Sequence, residues 1–232
     1  MNRPDSKPEP HVTVDSERRD FMRYSSAALV GALAFGVTVT SLQLPAAFAA
    51  VSVDLGSGDI GVLNYAYALE QLEAAFYTQV LKTRYSGMST EEREILTSIR
   101  QHEIAHRELF KAALGKKAIA GLTPEFGKVD FDSRKSVLTT ARTFEDLGVA
   151  AYNGAGKLIK NGDYLVLAGK IVSVEARHAA AIRDLLNPHS QAFAGDDVVN
   201  SSGLDGAKSP STVLGAAAPF VQNDISANGL SR

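Results

Sequence analysis

The chain has 232 residues, 45% of them hydrophobic and 22% charged, with a formal net charge of -2 and a pI near 6.2. That content can fill the core of one domain, and the charge is too small to draw in nucleic acid or an anionic membrane, so neither is expected as a partner. Cysteine is absent, which excludes disulfides, thiolate catalysis and Cys-ligated zinc or iron-sulfur sites and leaves His and carboxylates as the strong metal ligands.

In the first segment Arg18 and Arg19 precede Phe21 and Arg23, an apolar stretch runs from Ala27 to Leu44, and Ala47 and Ala49 form an A-x-A arrangement. A basic beginning, an apolar middle and a small-residue end make a secretory signal. The paired arginines followed by a bulky apolar residue resemble the twin-arginine pattern. Gly31, Gly36 and several Ser and Thr interrupt the apolar run, which favours removal over anchoring. Residues 1–49 are therefore expected to be a twin-arginine signal peptide cleaved near Ala49. The mature protein would be periplasmic or secreted, with no membrane attachment after cleavage. Such export carries folded cargo, often with its cofactor already acquired.

From Asp59 onward the pattern is helical with few breakers, which predicts an all-α domain over residues 50–189. Helix one runs over about 59–85. Ser89, three residues before Glu92, opens helix two as a capping box, and that helix continues to Gly115. The stretch GKKAIAGLTPEFGKVDFDS, with three glycines and a proline, is a long connection. Helix three runs over about 133–159; after the short turn KNGD, helix four continues to Leu186, where Pro188 stops it. Short loops make antiparallel neighbours of helices one and two, and of three and four. The middle loop of roughly 17 residues can extend about 55 Å, enough to travel back along a bundle roughly 38 Å tall. Residues 190–232, rich in Gly, Ser, Asp and Asn with an apolar island at Val213 to Val221, form an irregular tail that docks on the bundle or on a neighbouring subunit.

The inward stripe of helix two is Leu96, Ile99, Glu103, His106, Phe110, Ala113; that of helix four is Ala168, Ile171, Glu175, His178, Ile182, Leu185, offset throughout by 72 residues. Steps of three and four keep each set on one face. Helix one carries Leu63, Tyr67, Glu70, Ala74, Tyr77, Leu81 and helix three Leu138, Ala141, Glu145, Val149, Tyr152, so each has one inward glutamate with a tyrosine two turns further on. Collected, the inward polar groups are Glu70, Glu103, His106, Glu145, Glu175 and His178. Four uncompensated carboxylates in a core would each cost several kcal/mol. Two divalent cations balance them while the imidazoles stay neutral ligands. Oxygen-rich sites with one imidazole per ion suit iron or manganese better than magnesium, calcium or zinc.

The order Glu, Glu-x-x-His, Glu, Glu-x-x-His over four helices, with a long crossover between helices 2 and 3, resembles the ferritin-like di-iron or di-manganese carboxylate superfamily over residues 59–187. Within it, LNYAYALEQLEAAFY and SPSTVLGAAAPFV look like the exported ferritin-like domain proteins, some of them desiccation-related. The resemblance implies a ferritin-like four-helix bundle holding two iron or manganese ions through those six residues. Glu73 also lies in an apolar stripe and competes with Glu70; the tyrosine seven residues beyond Glu70, repeated by Glu145 and Tyr152, favours Glu70. Tyr77 and Tyr152 are candidates to support the ligands. Many superfamily members carry an aspartate just before the Glu-x-x-His glutamate to orient a ligand His. Here those positions are His102, expected to face solvent, and Val174, so that support must differ.

The expected function is redox chemistry with a small oxidant, oxygen or peroxide, in a stress setting; ferroxidase, peroxidase and catalase-like reactions all fit the ligands. The competing reading is a non-enzymatic stress or desiccation-associated envelope protein with a structural or absent metal. Iron storage in a shell fits less well, because a completed cage is a poor export cargo. Expected partners are the twin-arginine export machinery, the oxidant, and a second copy of the chain in a homodimer.

Overall fold

The computed structural model describes residues 52–230. The expected signal peptide and its cleavage point near Ala49 lie outside the described residues. Four long helices dominate: α1 (Gly58–Thr83), α2 (Thr90–Leu114), α3 (Arg134–Gly156) and α4 (Gly162–Leu186). A short α5 (Pro210–Ala217), two three-residue strands, β1 (Ser52–Asp54) and β2 (Asp224–Ser226), and several single 3-10 turns accompany them. The sequence pattern contains no sign of the strands, which are too short to show a periodicity.

Local chemistry sets the helix ends. The Ser89 hydroxyl accepts from Glu92 N–H at 3.0 Å and the Glu92 carboxylate accepts from Ser89 N–H at 3.1 Å, so the capping box closes at the start of α2. α3 ends at Gly156, a turn short of the expected residue 159, where Leu158 and Ile159 donate to Ala155 and Gly156 in a tighter turn. The Asn161 side chain caps α4 by accepting from Asp163 N–H at 2.8 Å. The neighbouring backbone is tied to the start of α1, since Asp59 accepts from Lys160 N–H at 2.8 Å and from Asn161 N–H at 3.0 Å. At the opposite end Arg134 donates to Glu92 at 2.6 Å and to the Leu185 carbonyl at 2.7 Å, joining the starts of α2 and α3 to the end of α4.

These ties fix the topology. α1 and α2 pack as one antiparallel pair, α3 and α4 as another, and the connection between pairs runs the length of α1. Asn64 receives it first, donating to the Lys117 carbonyl and accepting from Ile119 N–H. Gln71 then accepts from Leu122 N–H, and Phe126 meets Phe76 edge-on while Phe131 packs against it at a tilt. The chain therefore starts α3 at the end of the bundle where α1 finishes.

The tail docks on its own bundle and is more regular than the sequence suggests. Val213, Leu214 and Ala217 of α5 are buried in the main core, and Phe220 meets Phe144 edge-on at 4.8 Å. Gly154 makes the approach possible: a Cβ there would lie 1.8 Å from the Lys208 carbonyl oxygen. Arg183 is buried at the other end of the tail, held by Asp146 and Asp197 at 2.8 Å each. β2 then pairs in parallel with β1, Ser52 opposite Asp224, so both ends of the described chain meet beside α1.

Candidate metal centre

The inward stripes meet midway along the bundle. On one side of that level Tyr77, Leu96, Ile99, Leu138 and Ile182 pack together; on the other, Leu63, Tyr67, Phe110, Tyr152 and Ile171 do. Between these apolar clusters lies a polar layer of Glu70 from α1, Glu103 and His106 from α2, Glu145 from α3, and Glu175 and His178 from α4. The four carboxylates are fully buried, His178 is buried, and only His106 keeps partial exposure.

Two groups of potential donors share this layer. Glu70, Glu103, His106 and Glu175 form one; Glu103, Glu145, Glu175 and His178 form the other; within each group the donor atoms lie within 4.8 Å of one another. His106 Nδ1 is 3.0 Å from Glu175 Oε1, 3.5 Å from Glu70 Oε2 and 3.6 Å from Glu103 Oε2. His178 Nδ1 is 2.8 Å from Glu103 Oε1, 3.4 Å from Glu145 Oε2 and 3.5 Å from Glu175 Oε2. Glu103 and Glu175 thus turn one oxygen to each side, while Glu70 and Glu145 each serve one side.

The remaining oxygens of the outer glutamates are already satisfied. The Tyr152 hydroxyl of α3 donates to Glu70 Oε1, and the Tyr77 hydroxyl of α1 donates to Glu145 Oε1. Each tyrosine therefore supports the glutamate of the facing helix, a pairing that the shared-helix spacing in the sequence does not reveal. Glu70 Oε2, both oxygens of Glu103, Glu145 Oε2, both oxygens of Glu175, and Nδ1 of His106 and of His178 make no well-directed hydrogen bond, and have only ion-pair contacts with one another. Buried polar atoms are normally paired, and so many orphans in one place call for a ligand. Carboxylate oxygens and imidazole nitrogens gathered this closely are a donor set suited to metal.

Electrostatics describe the same layer without metal. Burial opposes the imidazolium charge, yet the surrounding carboxylates win and hold His106 and His178 up at about 12. Burial likewise opposes the Glu103 carboxylate, but pairing with both imidazoles draws it down to about 2. Glu145 is raised to about 8, by burial first, with His178 pulling the other way. Glu70 is pushed well up by burial and by the charge of Glu175. Protons on the two histidines thus stand where divalent cations would, and metal binding must displace them. Arg107, a conceivable counter-charge, is turned outward to Glu108 at 2.6 Å, and Arg177 is exposed.

Glu73 belongs to neither donor group. It is buried one turn beyond Glu70, its carboxylate beside Gly148, where an added Cβ would come within 3.3 Å of Oε1. Burial and the neighbouring glutamates push its pKa well up. His102 is exposed, yet its ring is engaged: Nδ1 lies 2.9 Å from His178 Nε2. The sequence reading missed this contact because His102 sits one residue, or about 100°, away from the inward stripe. Its place immediately before Glu103 was the available signal.

The fold is a four-helix bundle with a crossover, closed around a layer of carboxylates and histidines that has the composition of a candidate metal site. The family model of the ferritin-like domain matches residues 58–188, and the chain belongs to that family. A search of curated proteins finds no match. Among the described residues no helix is long and apolar enough to cross a membrane.

Proposed function

We propose that this protein is an exported ferritin-like protein that binds two iron or manganese ions and uses them in redox chemistry with oxygen or peroxide, in a stress-related role of the desiccation-related type. The observation that carries the reading is the set of buried oxygens and imidazole nitrogens without well-directed hydrogen bonds, in two groups with Glu103 and Glu175 common to both. Four carboxylates balance two divalent charges, so loading leaves the layer neutral with both imidazoles deprotonated. Glu70 with His106, and Glu145 with His178, would complete the two sites.

A bound iron or manganese pair supplies reversible one-electron steps between the divalent and higher states. The chain's own contribution is to hold the donors and keep out bulk water. Tyr77 and Tyr152 fix the outer glutamates by occupying one oxygen of each, which leaves the other free for an ion. The apolar clusters on both sides of the layer exclude solvent, which strengthens every charge interaction inside it. The twin-arginine pattern of the sequence supports export of a folded, loaded protein to the periplasm or beyond.

The test is metal content after native export, followed by turnover of hydrogen peroxide and of ferrous iron as substrates. Close to two iron or manganese ions per chain with turnover of either substrate is the expected result. A protein that carries no such metal and gains none on reconstitution refutes the reading and leaves the bundle as a structural envelope protein.

A further inference from the structure

His178 has a second ring nitrogen, and the structure gives it a partner that His106 lacks. His178 Nε2 lies 2.9 Å from His102 Nδ1, and the two rings meet edge to edge, with centroids 5.1 Å apart and 7° between their planes. On its other side, His178 Nδ1 faces Glu103, Glu145 and Glu175. If Nδ1 binds an ion, the neutral imidazole carries its hydrogen on Nε2; if Nδ1 is protonated instead, Nε2 carries one as well. In both states Nε2–H is the donor and His102 Nδ1 the acceptor. His102 is then neutral, with its own hydrogen on the outward Nε2, and it orients its neighbour without adding negative charge to the layer. No group among the described residues plays this part for His106, which meets the carboxylates through Nδ1 alone.

We propose that His102 is the positioning residue of one ion site: by accepting the hydrogen of His178 Nε2 it fixes that ring with Nδ1 toward Glu103, Glu145 and Glu175. This makes the His178 side the tighter of two unequal sites. The inference rests on the two-ion reading above. Outer partners of a metal-bound histidine hold its tautomer and ring angle, and losing one typically weakens binding about 10–100-fold. Because only one of the two histidines has such a partner, the loss falls on one site.

The experiment is stepwise titration of the metal-free mature protein with Co²⁺, followed by calorimetry and by the visible absorption of the bound ion. Wild type, His102→Leu and His102→Asn are compared. His102 is exposed, so neither substitution disturbs the core, and melting curves verify this. Wild type is expected to take two ions in two distinguishable steps. His102→Leu weakens the tighter step about 10–100-fold, leaves the weaker step in place, and alters the absorption band of the first ion alone. His102→Asn, whose Oδ1 can accept in place of Nδ1, restores both readouts. Two equal steps in wild type, an unchanged tighter step in His102→Leu, a loss shared by both steps, or an Asn variant as weak as Leu each overturn the proposal. A wild-type chain that takes no Co²⁺ overturns the two-ion reading itself, so the two failures are told apart.

Discussion

Replacing Glu103 and Glu175 together by glutamine separates what the polar layer does for metal from what it does for the fold. Both side chains are fully buried, and each turns one oxygen toward each donor group, so the double variant strips both groups at once. Glutamine keeps the volume and removes the charge. In the metal-free wild type the carboxylates are matched by protonated His106 and His178, an arrangement that carries a desolvation cost of several kcal/mol per ion. Glutamine removes the carboxylate half of these pairs and leaves both imidazoles in place, and breaking a buried pair from one side costs about 3–5 kcal/mol where the remaining group stays charged. The metal-free variant is therefore expected to melt below the metal-free wild type, by roughly 10 °C. With metal at 1,000 times Kd each occupied site adds about 4 kcal/mol, or roughly 10 °C in a domain of this size. The variant is expected to lose that whole increment. The assay is a pair of calorimetric melts, with and without Mn²⁺, beside elemental analysis of the dialysed protein. A variant that still gains about 10 °C with Mn²⁺ refutes the donor assignment. One whose metal-free Tm matches or exceeds that of the wild type shows that the charges do not serve the fold.

Other expectations rest on the same layer. Glu145 titrates at about 8 rather than its ordinary 4.5 in the metal-free protein, so between those values the folded chain binds more protons than the unfolded one and stability falls as pH rises, by at most about 5 kcal/mol. The histidines act in the same direction: held at about 12, they give stability that is complete below pH 6.5 and is lost as pH climbs through about 12. Melts of metal-free protein from pH 5 to 8 should descend, and those of Mn²⁺-loaded protein should stay flatter; an ascending metal-free series contradicts the account. Tyr77→Phe and Tyr152→Phe each leave a buried carboxylate oxygen without its donor, at about 1–3 kcal/mol of stability, and weaken ion binding about 10–100-fold. Titration and melting of each variant check both numbers. Glu70→Ala is expected to reduce bound metal while Glu73→Ala keeps two ions; the reverse pattern would make Glu73 the ligand.

Much of this arrangement is legible in the sequence because helices impose a period. The offset of 72 residues between Glu103 with His106 and Glu175 with His178 places both pairs in matching stripes, and the capping box at Ser89 marks where one helix begins. The long Gly-rich connection between helices two and three carries the topology. What stays hidden depends on how the helices cross. Glu70 and Glu73 both point into apolar surroundings, and only the facing α3, with Tyr152 on one side and Gly148 on the other, separates their environments. The contact of His102 with His178 joins two helices at an angle that no single-helix pattern encodes. The Arg183 ties to Asp146 of α3 and Asp197 of the tail depend on how α3, α4 and the tail meet, and β1 pairs with β2 from opposite ends of the described chain through strands too short to show a period.

The most direct test is anomalous diffraction from crystals grown with manganese or iron. The account predicts two peaks in the layer, about 3.5–4 Å apart, with Glu103 and Glu175 reaching both, Glu70 and His106 on one, Glu145 and His178 on the other. A single peak, no peak, or an ion held by Glu73 would contradict it.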